Sequence, residues 1–128
     1  MICLDTNYLI LGLVPDSREA VQLLAWSEAG EHFYTAALVW YEFLCGPVDS
    51  NQVAAMRSLL RQILPLDEPQ AEEAARLFNA IGRRRNLRVD AIVAAAATSR
   101  QAPLATNNRQ DFRHFEPHGL HLITVAAW

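Results

Sequence analysis

Apolar positions along the chain recur in short blocks whose spacing switches between near-continuous runs and steps of three or four, so strands and helices are expected to alternate. Ile2, Cys3 and Leu4 open a strand over residues 2 to 5. A short helix near Thr6 to Leu13 follows, broken at Pro15 and Asp16. Ser17, with Arg18, Glu19 and Ala20 behind it, starts a helix to about Ala29 that Gly30 closes; Val21, Leu24 and Ala25, flanked by Trp26, are its expected inner face. Phe33 and Tyr34 to Ala36 form a strand, and Ala37 to Leu44 a helix ended by Gly46 and Pro47. Ser50 to Gln62 carries Val53, Met56, Leu60 and Ile63 at helical steps. Ile63, Leu64 and Leu66 around Pro65 read as an edge strand, because proline cannot donate to a ladder.

Pro69 then leads the stripe Ala71, Ala74, Ala75, Phe78 and Ile81, and Val89, Ile92, Val93, Ala96 and Ala97 mark a further helix whose alanines imply close helix packing. Pro103, Leu104 and Ala105 read as a strand, and His121 to Val125 as a last one. Strands separated by helices imply parallel crossovers. The expectation is an α/β fold: one domain over residues 1–128, with a central, mostly parallel sheet of four or five strands flanked by helices. The chain contains no internal repeat, low-complexity segment or long linker.

Composition narrows the picture. With 52% hydrophobic residues, 128 residues can bury a real core. No stretch of about 18 uncharged apolar residues exists and the start lacks a signal-type pattern, so a cytoplasmic protein without membrane contact is expected. Cys3 and Cys45, without a CxxC or zinc-type histidine pairs, read as structural thiols. The net charge of -3 disfavours general nucleic-acid binding, yet Arg83, Arg84, Arg85 and Arg88 crowd before Asp90, and Arg109 and Arg113 bracket Asp111. Arginine suits bidentate phosphate contact, although cations also favour a helix end.

Candidate chemistry lies in acids set into apolar elements. Asp5, with Thr6 and Asn7, ends the first strand; Glu42 interrupts the run from Leu38 to Leu44; Asp90 precedes a run of alanines. Carboxylates are rarely buried unless paired or bound to a cation, so a shared metal site is the simplest account. In a parallel sheet Asp5, Thr6 and Asn7 share an edge with Thr106, Asn107 and Asn108, near Asp111. Donors that are all oxygen select Mg²⁺ or Mn²⁺ over zinc. Such a cluster can activate water against a phosphodiester, and the arginines point to nucleic acid.

In this order and spacing, Asp5 with Thr6 and Asn7, Glu42, Asp90 before an alanine-rich helix, and Thr106, Asn108, Asp111 and Phe112 after a late strand resemble PIN-domain ribonucleases, in particular the VapC toxins of bacterial toxin-antitoxin pairs. The resemblance implies an Mg²⁺- or Mn²⁺-dependent endoribonuclease, dimeric and held inactive by a cognate antitoxin, with RNA as substrate. It implies Asp5, Glu42 and Asp90 as metal ligands, Thr6 and Thr106 as residues that orient them, and Asn108 and Asp111 as the remainder of the catalytic group. Many family members carry a fourth acid where Asn108 stands, so a weaker second metal position is expected.

Two rivals remain. A haloacid-dehalogenase-like phosphatase would use Asp5 as nucleophile but needs a second acid two residues on, where Asn7 stands. A catalytically weakened binding module of the same fold would explain Asn108. His32, His114, His118 and His121 build no triad, no glycine-rich phosphate loop occurs, and Trp26, Trp40 and Trp128 read as core or interface.

Overall fold

Four parallel strands, β1 (Ile2–Leu4), β2 (Phe33–Ala36), β3 (Leu60–Leu64) and β4 (Leu104–Ala105), make one sheet in the order β3-β2-β1-β4 in the computed structural model, which describes residues 1–123. Every residue of β1, β2 and β4 is buried, as a parallel sheet covered on both faces requires. β3, at the edge, exposes Arg61 and Gln62, polar side chains that blunt an open edge.

The helices are α1 (Thr6–Leu11), α2 (Arg18–Glu28), α3 (Ala37–Leu44), α4 (Ser50–Leu59), α5 (Glu68–Ala80), α6 (Arg88–Thr98) and α7 (Arg109–Phe112), with 3-10 turns at Arg85–Leu87 and Arg113–His118. Local chemistry sets most of their starts. Ser17 accepts from the Ala20 N–H at 2.9 Å, Asp49 and Gln52 form a reciprocal capping box, and Asp67 accepts from Gln70 N–H just before Pro69.

Both sheet faces are covered. Neighbouring strand residues point to opposite faces, and Phe33 packs its ring 6.4 Å from Trp26 of α2 while the Tyr34 hydroxyl donates to the Ala96 carbonyl of α6 at 2.6 Å. So α2 and α6 lie on opposite sides. In α6, Ala91 and the run from Val93 to Ala97 are buried, and their small side chains let α5 pack closely through Ala74 and Leu77. Gly12 serves the other face: a β-carbon there would lie 2.4 Å from the Tyr8 carbonyl oxygen and 2.6 Å from Leu23, so only glycine lets α2 fold back on α1 this tightly.

Several sequence expectations change. In α2 the buried residue is Leu23, with Trp26 half-buried, whereas Val21, Leu24 and Ala25 face outward. Two faces of that helix carry apolar residues, and packing chose the one holding the larger ring. The helix expected to Gln62 ends at Leu59, because Leu60 already pairs with Phe33 in the sheet; helical spacing persisted into a strand. The first helix stops at Leu11, two residues early. Ala71, Ala75 and Val89 are exposed, since α5 and α6 each bury a face offset from the expected stripe. Among the described residues of the last expected strand, Leu122 alone forms a bridge, to Leu104; residues 124 and 125 lie outside the described residues, as does Trp128. Trp40 is buried against Phe43, with Arg57 over its ring at 5.0 Å. Cys3 is buried, its thiol pushed up to about 12 chiefly by burial, while Cys45 is exposed after α3. Among the described residues no helix is long and apolar enough to cross a membrane.

Candidate functional site

The strand order puts a switch point between β1 and β4. The chain moves one way from β1 to β2 to β3 and then returns to pair β4 on the far side of β1. Loops leaving the carboxyl ends of two such strands diverge, which opens a crevice there. Asp5 leaves β1 and Thr106 leaves β4 at that crevice, and the Asp5 N–H donates to the Ala105 carbonyl at 3.0 Å, prolonging the ladder by one rung.

Asp5 is held at both oxygens. Its Oδ1 accepts from the Thr6 N–H at 2.8 Å, capping α1, and its Oδ2 accepts from the buried Thr106 hydroxyl at 2.7 Å. The Thr6 hydroxyl donates to Glu42 Oε2 at 2.9 Å, which ties α3 to the same edge. The Asn108 N–H donates to Thr106 Oγ1 at 3.0 Å, and its side-chain amide donates to Asp111 Oδ2 at 3.1 Å. Asp90, half-buried in the first turn of α6, completes the group. Its carboxyl is raised to about 6, first by burial and then by the charges of Asp111, Asp5 and Glu42. Four acids from four elements therefore share one electrostatic neighbourhood.

Other expected residues stand apart from this group. Asn7 is exposed and makes no side-chain hydrogen bond among the described residues. Arg83 takes a left-handed backbone, φ 58°, and donates through Nε to Asn79, while Arg84, Arg85 and Arg88 are exposed on the approach to Asp90. Among the described residues these arginines make no ion pair.

The acids do not form a finished metal cage. Among the described residues no three His, Cys, Asp or Glu side chains are grouped to hold an ion as they stand. Threonine and asparagine partners occupy the carboxylates of Asp5, Glu42 and Asp111 instead. The donor chemistry nevertheless suits a hard cation. Mg²⁺ keeps several waters and needs only one or two direct carboxylates, and the unrelieved repulsion around Asp90 is the kind that a cation removes.

Beside the acids lies a cleft of about 310 Å³ that the sequence alone does not reveal, lined by Tyr8, Arg18, Glu19, Thr106, Asn107 and Arg109. Tyr8, one helical turn past Asp5, lays its ring over Trp26 at 5.8 Å, and burial raises its phenol, with Glu19 adding to the rise and Arg18 and Arg109 opposing it. Asn107 donates to Glu19 Oε2 at 3.3 Å. The available signals were Arg109 directly after Asn108 and Tyr8 three residues after Asp5.

A family model described as PIN domain matches residues 2–116. Solved structures share the fold. A toxin-antitoxin complex from Klebsiella pneumoniae is 24% identical, with 88% of this chain and 90% of that chain covered at a TM-score of 0.69. FitAcB from Neisseria gonorrhoeae is 22% identical, covering 97% of both chains at 0.68. VapBC2 from Rickettsia felis, solved with a DNA fragment from its promoter, is 18% identical, covering 96% and 98% at 0.76. No curated protein matches the chain in sequence.

Proposed function

The chain belongs to the PIN-domain family, and from that premise we propose that it is a metal-dependent endoribonuclease acting as the toxin of a toxin-antitoxin pair. The carrying observation is the convergence of Asp5, Glu42, Asp90 and Asp111 on the carboxyl edge of the sheet, registered in the raised carboxyl of Asp90. Asp5, Glu42 and Asp90 would hold the ion, Mg²⁺ or Mn²⁺, which when bound supplies a Lewis acid for a phosphoryl oxygen and an acidified water.

The chain's own residues prepare that chemistry. Thr106 and the Thr6 N–H fix both oxygens of Asp5, and the Thr6 hydroxyl fixes Glu42, so the carboxylates are oriented before any ligand arrives. Asp90 must release its proton to serve as a ligand, which a bound cation would favour by offsetting the charges of Asp111, Asp5 and Glu42. Asp111, after burial the strongest influence on Asp90, supplies the charge that Asn108 lacks, while Asn108 steers it through the 3.1 Å hydrogen bond. We assign Arg83, Arg84, Arg85 and Arg88, which crowd just before Asp90, to contact with RNA phosphates or with the antitoxin.

The neighbour from Klebsiella pneumoniae is a toxin-antitoxin complex, which supports a cognate antitoxin as partner. A cytoplasmic homodimer is part of the same reading. The phosphatase alternative loses its support to the family match and to Asn7, and a weakened binding module would be favoured only through Asn108. The test is direct: chain purified free of any partner is incubated with total RNA and with transfer RNA, with and without Mg²⁺ or Mn²⁺. Cleavage that requires the metal is expected; intact RNA under all conditions sinks the proposal.

A further inference from the structure

The cleft beside the acids has a composition of its own. Arg18 and Arg109 bring two cations to its walls, Glu19 one carboxylate, and Asn107 an amide, and Thr106 belongs both to this cleft and to the Asp5 hydrogen bond. Among the described residues Arg109 donates one N–H, to the Ile123 carbonyl at 2.8 Å, and makes no ion pair. The Tyr8 side chain is 97% covered, yet its hydroxyl has no hydrogen-bond partner among the described residues. Tyr8 itself lines the cleft, one helical turn past Asp5.

Charge decides what such a cleft can hold. The neighbouring edge carries four acids and repels a polyanion, so a phosphate chain crossing it needs cations immediately alongside. Arg18 and Arg109 supply them on the α1–α2 side of Asp5. Glu19, an acceptor among donors, suits a ligand that also presents hydroxyl or amino hydrogens, as a ribose and base do and an inorganic anion does not. The volume falls at the low end for small-ligand sites, room for one unstacked nucleotide and not for a duplex.

We propose that this cleft is a subsite for one nucleotide of a single-stranded RNA segment, adjoining the phosphodiester presented to Asp5, with Arg109 and the Tyr8 hydroxyl on its phosphate and Glu19 on its sugar or base. This rests on the nuclease reading, and the experiment separates the two. A fluorescein-labelled single-stranded oligoribonucleotide is bound, by anisotropy over a range of salt, to the full chain carrying Asp5→Asn, so that binding is read without cleavage. Added to that background, Arg109→Gln is expected to weaken binding roughly tenfold and to reduce the salt slope by about one. Tyr8→Phe, which keeps the ring on Trp26, is expected to cost roughly threefold. Arg61→Gln, the same charge loss on the edge strand β3, serves as the control and should change nothing.

Binding by Arg109→Gln equal to that of its background overturns the subsite, as does a base-paired form of the oligonucleotide that binds equally well. If the parent chain cleaves RNA in that case, the nuclease reading survives alone. If the parent chain cleaves nothing while binding still depends on Arg109, the subsite survives and the nuclease reading falls.

Discussion

Two half-buried carboxyls on adjoining helices, Glu73 of α5 and Asp90 of α6, have opposite fates. Glu73 accepts from Arg76 Nε and Nη2 at 2.7 and 2.8 Å and from the Thr98 hydroxyl at 2.5 Å, and the Arg76 bonds first of all hold its carboxyl below the usual range. Arg76 also donates to the His118 carbonyl, so that acid fastens α5, α6 and the last 3-10 turn together. Asp90 has burial and three like charges around it, and its carboxyl is raised to about 6. A satisfied acid is a structural clamp. An unsatisfied one costs stability and is kept where chemistry needs it.

The sharpest way to break this contrast is to neutralise each side. Asp5→Asn and Asp90→Asn are expected to lower metal-dependent RNA cleavage by at least ~100-fold while the chain stays folded. Glu73→Gln should leave the cleavage rate of the folded protein near that of the parent. Cleavage at the parental rate by either aspartate variant would remove the distinction.

Stability should respond in the reverse sense. Glu73→Gln is expected to cost about 1 kcal/mol in denaturant unfolding, a modest figure because Arg76 is largely exposed. No loss would show that the clamp is ornamental.

Charge count around the ion gives a smaller effect. Asn108→Asp should tighten Mn²⁺ binding and Asp111→Asn weaken it, each by roughly tenfold, with one tight site in the parent, because a second ion would meet too little negative charge. Calorimetric titration of the three proteins checks this. Two tight sites in the parent would contradict the assignment of Asp111 to the vacant fourth position.

The mildest effect is in the pH dependence of the metal-free chain. Between the ordinary value of 3.8 and about 6, folded Asp90 keeps a proton that the unfolded chain releases, so this carboxyl's contribution to stability declines as pH rises through that window. Glu73 acts oppositely: its contribution is present above its ordinary value and is lost as pH falls through its lowered one. Asp90→Asn should therefore raise the melting temperature at pH 7 by a few degrees and flatten the change between pH 4 and 6. A melting curve unaltered at both pH values would mean that the acids do not repel one another in the folded chain.

Much of this was legible from neighbouring residues alone. Asp5 after an apolar triplet, Glu42 inside a helix, Asp90 in a first turn, the cap at Ser17, and the order of strands and helices all depend on contacts within a few positions, which spacing and side-chain type report directly. Strand order did not. That β4 pairs with β1 brings Thr106 onto Asp5 across 101 residues, and nothing in either segment's own pattern names its partner. The same holds for α2, where two apolar faces competed and the one carrying Leu23 and Trp26 turned inward because Tyr8 and Phe33 were there to receive the indole. The cleft between Tyr8, Glu19 and Arg109 belongs to that second class as well. Sequence determined which acids the chain owns and on which elements they ride. Only the tertiary structure decided that they meet, because the burial and repulsion around Asp90 are sums over groups far apart in the chain.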